Sequence, residues 1–348
     1  MKNTVTLSVI GCLLLLISAC GNKEMTEIVE ETPNEPKVEE VVEEKEEEEV
    51  KETFTYTFPL TGVGTNEEIN RRVIGVTINN APQARPQTGL VDADLVYEVL
   101  AEGDVTRFVA LYQSTLPEKV GPVRSARPYH IDLINGYDAL MVLHGWSPEA
   151  ERLLTGGKAD FLNGLFYDGT LFQRSSDRKA PHNSYITFEN IVKGLEDRGY
   201  EITGDVPSLV FAEESERLTG ADAKEITVTY NRYQVDYIFN EETGMYQRFN
   251  GENQTVDHET GEELSVANLL VAEMDHRVLD DVGRRAINLT SGGKALLFQD
   301  GNVEEVQWKN DDGRIIAVKD GEPVPLKPGQ TWINIIPTSP GIDENVTY

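Results

Sequence analysis

Hydrophobic residues fall into short runs from about Phe54 onward, and the spacing of these runs changes once along the chain. The stretches from Arg72 to Ile78, Leu95 to Glu102 and Thr106 to Gln113 are rich in Val, Ile, Leu, Phe and Tyr and predict strands. Gly103-Asp104, between the last two, is a two-residue hairpin signal. Pro128 to Asn135 carries Pro in its first turn and predicts a helix. Tyr137 to His144 is apolar and strand-like. Ser147-Pro148-Glu149 then supplies an N-cap, a first-turn Pro and an early acid, which predicts a second helix. Thr187 caps a third, running to about Arg198.

Past about residue 222 the pattern becomes alternating. Runs from Glu225 to Tyr230, Tyr233 to Phe239 and Met245 to Phe249 begin it. It continues at Ala286 to Thr290, Ala295 to Phe298, Val303 to Trp308, Arg314 to Val318 and Thr331 to Ile336. Asn250-Gly251, Asp300-Gly301, Asp312-Gly313 and Asp320-Gly321 punctuate these runs as turns. The expected fold class is α+β. A mixed α/β lobe over residues 54–215 is followed by a mainly antiparallel β lobe over residues 222–345. No repeat of fixed period is evident.

The beginning of the chain changes the picture. Lys2 precedes an apolar run from Leu7 to Ile17, and Ile17-Ser18-Ala19-Cys20-Gly21 closes it. A cationic start, a short apolar segment and small residues before a cleavage point make a signal peptide, here residues 1–19. A cysteine directly after the small residues makes it a lipobox. The run is shorter than the roughly 20 residues a transmembrane helix needs. The mature chain is therefore expected to begin at Cys20, to carry palmitate-type acyl lipid there, and to sit on the outer face of a membrane. Residues 20–53 read as an acidic disordered tether. Residues 21–53 hold 14 Glu and 4 Lys in a chain of net charge −29. Such a segment cannot bury enough surface to offset its ordering entropy.

The cysteine count of two, Cys12 and Cys20, leaves no free thiol and no disulfide after processing. That excludes thiol catalysis, thiolate metal sites and redox chemistry. The acidity of the body excludes nucleic acid as a partner.

Against that acidity, the first lobe has an arginine bias. Between residues 52 and 157 stand Arg71, Arg72, Arg85, Arg107, Arg124, Arg127 and Arg152, with Lys119 as the only lysine. Arginine is the residue for planar, bidentate contact with carboxylate or phosphate. With a two-residue loop at Gly103-Asp104, Glu102 faces Val105 and Leu100 faces Arg107. Glu98, Leu100, Glu102, Val105, Arg107 and Val109 then line one face. Tyr97, Val99, Ala101, Thr106, Phe108 and Ala110 form a core face on the other side. Arg107 would lie diagonal to both Glu98 and Glu102. This arrangement is either an ion-pair cluster that fixes the sheet or a ligand-binding or acid–base cluster.

Two loops extend the set. One runs from Asn79 through Arg85-Pro86-Gln87 to Gly89, directly after the first strand. The other, from Gly121 to Pro128, puts Arg124, Ser125 and Arg127 before a helix, where an anion would be favoured. Its arginines could equally pair with Glu98, Glu102 or Asp132. His144-Gly145-Trp146-Ser147 lies where a strand meets a helix cap, a usual ligand position in an open α/β sheet. A further polar loop holds Arg178, His182 and Ser184. His144, His182 and Ser147 or Ser184 could in principle hydrolyse a bond, but no complete catalytic motif appears. No His/Asp/Glu set has metal-ligand spacing, so no catalytic residue, metal or cofactor is assigned. In the β lobe, Asp281 to Arg285, Gly292-Gly293 and Pro328 to Trp332 read as turns and strand edges. Trp308 and Trp332 read as core.

Several long motifs carry a resemblance. These are Ala84 to Leu90, Ala93 to Glu98, Glu102-Gly103, Thr106-Arg107-Phe108 and Gly121 to Pro128, with Trp308-Lys309 and Gly329 to Ile333 later. Together they resemble the YerB-like lipoprotein family over residues 60 to 340. The resemblance implies a two-domain bacterial envelope lipoprotein and brings no established activity.

The candidate binding set is therefore Asn79, Arg85, Glu98, Glu102, Arg107, Arg124, Ser125, Arg127, His144 and His182, with Cys20 for lipid. The expected function is a non-catalytic envelope lipoprotein that binds a ligand or partner. Membrane lipid is engaged through Cys20, and an envelope protein or cell-wall ligand is the expected partner. The alternatives are an enzyme acting on an envelope polymer through Glu98 or Glu102, and a structural lipoprotein whose cluster only stabilises the fold.

Overall fold

Strands that are apolar on both parities belong where both faces of a sheet are covered. Three such strands form the centre of this fold: β1 (Ile74–Asn79), β2 (Leu95–Leu100) and β3 (Thr106–Tyr112), buried at every position. The computed structural model describes residues 53–213 and 220–348. The signal peptide, Cys20 and the acidic tether through residue 52 lie outside the described residues.

Around the central strands the first lobe is mixed. Helix α1 (Pro128–Asn135) lays Ile131 and Ile134 on the face that carries Tyr97, Val99 and Val109. Next come β4 (Leu140–Leu143), α2 (Pro148–Thr155) and β5 (Phe161–Asn163). β4 pairs parallel with β1, and β5 with β4. β6 (Phe172–Arg174) and β7 (Ser184–Thr187) form a small separate sheet with Lys119–Val120. Helix α3 (Phe188–Arg198) covers the other face, where Phe188, Ile191 and Leu195 meet the side of Val96, Phe108 and Ala110. The caps expected from sequence are present. Ser147 accepts from Ala150 N at 3.3 Å, and Thr187 accepts from Asn190 N at 3.2 Å.

The second lobe is mainly antiparallel. β8 (Glu225–Tyr230), β9 (Tyr233–Asn240) and β10 (Met245–Asn250) make a meander. β11 (Asn268–Met274), β12 (Gly293–Gln299), β13 (Asn302–Asp311) and β14 (Arg314–Lys319) make another antiparallel run. The Asp-Gly turns have positive φ at both residues, 49° and 75° at Asp300 and Gly301. That is the type I′ twist a tight hairpin requires.

The last long strand, β15 (Thr331–Pro337), pairs parallel with β11 on one side and with β2 on the other. One twelve-stranded sheet therefore runs through both lobes. Trp332 on β15 is fully buried and meets Phe108 of β3 edge-on at 5.1 Å. Trp308 is buried as well, so both tryptophans are core.

The hairpin register differs from the expected one. Leu100 pairs with Thr106, Val99 with Arg107 and Glu98 with Phe108. Ala101 N donates to Val105 O at 2.8 Å, so Glu102, Gly103 and Asp104 form a three-residue loop. A one-residue slip moves a strand's side chains to the opposite face. Glu98 consequently shares a face with Thr106 and Phe108. Arg107 lies on the other side with Val99 and Val109. The single Glu98–Glu102–Arg107 face does not exist.

Candidate functional site

The slip divides the polar residues into two groups. The first is buried and joins the lobes. Glu98 and Arg248 are both fully buried, with Glu98 Oε2 and Arg248 Nη2 2.8 Å apart. Trp332 Nε1 donates to the same oxygen at 3.2 Å. Glu98 Oε1 accepts from Thr106 Oγ1 at 2.8 Å and Asn80 Nδ2 at 3.2 Å. Arg248 also donates to Thr255 Oγ1 and Tyr233 OH, and its guanidinium stands over the rings of Phe108 and Trp332 at 5.3 and 5.0 Å. Both Glu98 oxygens are saturated and closed to solvent, so this carboxylate has no face left for a substrate. Arg85 attaches to the same group. It donates Nε to Asn80 Oδ1 at 2.9 Å and lies over Tyr233 at 4.8 Å.

The second group lies across the C-terminal ends of β1 and β4, on the Arg107 face. The loop from Gly121 to Arg127 is pinned there by its backbone. Asn79 N donates to Pro122 O, Arg124 N to Thr77 O, and Ala126 N to Gly145 O. Arg107, 6 % exposed, donates to Glu102 Oε2 at 2.6 Å and to Ser125 O at 2.8 Å. Arg127 donates Nε to Glu102 Oε1 at 2.5 Å. Burial, together with Arg127, pulls the Arg107 guanidinium down to about 10. It remains charged at neutral pH. Burial works against the Glu102 carboxylate, but Arg107 and Arg127 outweigh it and hold its pKa below the usual range.

Arg124 sits beside this triad. It is half-buried and, among the described residues, makes no salt bridge and no side-chain hydrogen bond. Burial and the neighbouring Arg127 lower its pKa, with only Glu102 opposing. Two guanidinium groups thus share one carboxylate, and a third stands beside them without one. The N-cap amide of α1 is already occupied, since Arg127 N donates to His130 Nδ1 at 3.1 Å. The notch is formed by side chains and does not use the helix end.

Two imidazoles complete the notch. His182 Nδ1 meets Asn79 Nδ2 at 2.9 Å; burial, Arg124 and Arg178 lower its pKa. His144 Nε2 meets Arg174 Nη2 at 3.0 Å, and its Nδ1 meets Ser184 Oγ at 2.7 Å. Arginine only donates, so Nε2 accepts and the proton lies on Nδ1, which donates to Ser184. Burial, Arg174 and Arg124 lower the His144 pKa as well. An imidazole that donates to a serine cannot take its proton, so no activated nucleophile is present here. Ser147 is occupied as the α2 cap. Ser125 Oγ donates to His144 O at 3.0 Å.

The structure therefore brings together Asn79, Glu102, Arg107, Arg124, Ser125, Arg127, His144 and His182. It removes Glu98 and Arg85 to the opposite face. It also contains residues absent from the expected set. Arg248 is the inward-facing neighbour of Tyr246 on an alternating strand, and that parity was the available signal. Arg174, paired with Asp168, holds His144. Buried His130 caps α1, and no pattern in its surroundings marks it out.

An arginine notch on a mixed lobe, joined by a common sheet to a mainly antiparallel lobe, defines a two-lobed protein without a catalytic constellation among the described residues. The chain belongs to the family described as protein of unknown function (DUF3048). The family's N-terminal domain matches residues 60–201 and its C-terminal domain residues 226–333. It is 45% identical over 284 residues to the Bacillus subtilis (strain 168) protein YerB, whose name carries the word lipoprotein. The match covers 80% of this chain and 86% of that protein. The crystal structure of YerB from Bacillus subtilis superposes with a TM-score of 0.78 at 44% identity, covering 84% of this chain and 99% of that one.

Proposed function

We propose that the chain is a lipid-anchored, non-catalytic protein of the cell envelope that holds an anionic group of a ligand or partner at the Arg124 notch. The carrying observation is Arg124 itself. It is a half-buried guanidinium without a carboxylate, placed beside two arginines that share Glu102. In a chain of net charge −29 such an excess of positive charge is local and built. A carboxylate or phosphate would accept forked donors there.

The lipobox at Cys20 and the name of the relative support anchoring. Cys20→Ala should move the protein out of the membrane fraction or leave its precursor uncleaved. Mass spectrometry of the mature N-terminus checks this, and an unmodified Cys20 on a mature chain would refute the anchor.

The notch is tested with inorganic phosphate, followed through the imidazole NMR signals of His144 and His182. Phosphate should shift both signals in the unsubstituted chain and shift neither in Arg124→Ala. Removing Arg124 also removes a like charge from beside the imidazolium. The His182 pKa should therefore rise toward its ordinary value in the variant. Thermal stability should change by only about 0.5 kcal/mol, since Arg124 holds nothing else in place. Unaltered phosphate shifts in the variant would defeat this reading.

A further inference from the structure

The opposite face of the sheet carries its own opening. A cavity of about 360 Å³ lies between the loop at residues 82–87 of the first lobe and the turn at residues 250–256 of the second. Arg85, Gln87, Asn250, Asn253, Gln254 and Thr255 supply its polar lining, and no Asp or Glu lines it. We infer that this interlobe cleft binds a small anionic polyhydroxyl compound of the size of an acidic sugar.

The argument rests on which polar atoms are already used. Asn250 accepts from Tyr233 and donates to Thr255, which also accepts from Arg248, and this makes them a fixed wall. Gln87 spends its Nε2 on Asn79 O and Asn80 Oδ1, leaving its carbonyl oxygen without a protein partner among the described residues. Arg85 uses Nε and Nη2 on Asn80 and keeps Nη1 unpartnered among the described residues. Gln254 Nε2 is buried with no hydrogen-bond partner. A buried donor left unpaired is costly unless something else meets it. Arg85, with its unpartnered Nη1, lines the cleft together with Gln87 and the exposed Asn253. Charge beneath the cleft cancels, because Glu98 and Arg248 form a closed pair. Arg85 is the only charged lining group, and an anionic ligand would give it a partner that the cleft lining does not supply. The combination suits a carboxylate or phosphate attached to hydroxyl groups. Because one wall comes from each lobe, a bound ligand also ties the lobes together.

This site does not depend on the Arg124 reading, and the test separates the two. The full-length chain is titrated by calorimetry and by thermal melting with glucuronate, glucose 6-phosphate and, as a neutral control, glucose. At least one anionic sugar should bind and raise the melting temperature, and glucose should not. Which one binds distinguishes carboxylate from phosphate. Arg85→Gln should weaken that binding roughly tenfold or more, the loss of one charge-assisted hydrogen bond. Arg124→Ala should leave it unchanged. Asn253→Asp, at an exposed position, should repel the same probe. Failure of both anionic sugars to bind, equal binding of glucose, or undiminished binding in Arg85→Gln or Asn253→Asp would overturn the inference.

Discussion

Changing Arg248 to methionine should lower the free energy of unfolding by about 3–5 kcal/mol, the usual cost of leaving one partner of a buried ion pair alone. The Glu98 carboxyl group would then sit fully buried without its cation, with only Thr106, Asn80 and Trp332 to donate to it. The methionine stem can still fill the slot between Phe108 and Trp332, so the loss reports charge more than volume. The double variant Glu98→Gln with Arg248→Met removes both charges and should recover much of the loss. Denaturant titrations of the unsubstituted chain, Arg248→Met, Glu98→Gln and the double variant give the coupling energy directly. A single-variant cost below about 1 kcal/mol would show that solvent reaches the pair. Because Glu98 sits on β2 and Arg248 on β10, the same cycle also measures how firmly the lobes are joined.

That pair marks the limit of what the sequence discloses. Local signals were legible: Ser147 and Thr187 cap the helices they were expected to cap, and the Asp-Gly turns occur between the expected strands. The division into a mixed and a mainly antiparallel lobe was legible too. The register of the hairpin was not. Leu95 to Leu100 and Thr106 to Tyr112 are apolar on both parities because both faces of the sheet are buried. Alternation therefore could not choose between a two- and a three-residue loop. The pairing of β15 with β2 joins segments more than 200 residues apart and leaves no local trace. From these two gaps came the mistaken grouping of Glu98 and Arg85 with Arg107, and the omission of Arg248. The arginine bias itself was visible, but not its separation onto two faces. Arg85 serves the lobe junction beside the closed Glu98–Arg248 pair. Arg107, Arg124 and Arg127 leave positive charge open at the notch, and Arg71, Arg72 and Arg152 find partners elsewhere in the first lobe.

Glu102→Gln should separate these roles within the notch. The amide keeps the shape of the carboxyl group but leaves Arg107 and Arg127 without their shared charge. Arg107 is 6 % exposed, and the backbone carbonyl of Ser125 becomes its remaining acceptor. A loss of about 1.5–3 kcal/mol is expected, the range for hydrogen bonds to charged groups. It should fall below the Arg248 effect because the Glu102 side chain is 24% exposed. With its carboxylate gone, the notch holds three guanidinium groups, Arg124 the most accessible of them, with no anion among the described residues to balance them, and its affinity for an anion should rise. Inorganic phosphate at about 100 times its Kd returns about 2.7 kcal/mol by mass action, enough to offset the substitution. The variant should therefore melt low in phosphate-free buffer and recover as phosphate is added, with a larger response than the unsubstituted chain shows. Adding Arg124→Ala to Glu102→Gln should abolish most of the rescue while leaving the initial loss in place. If Glu102→Gln is destabilised and phosphate does not restore it, the arginines form a closed network and the notch holds no anion. Stabilisation by Glu102→Gln would mean that the carboxylate's burial cost exceeds what its two arginines return.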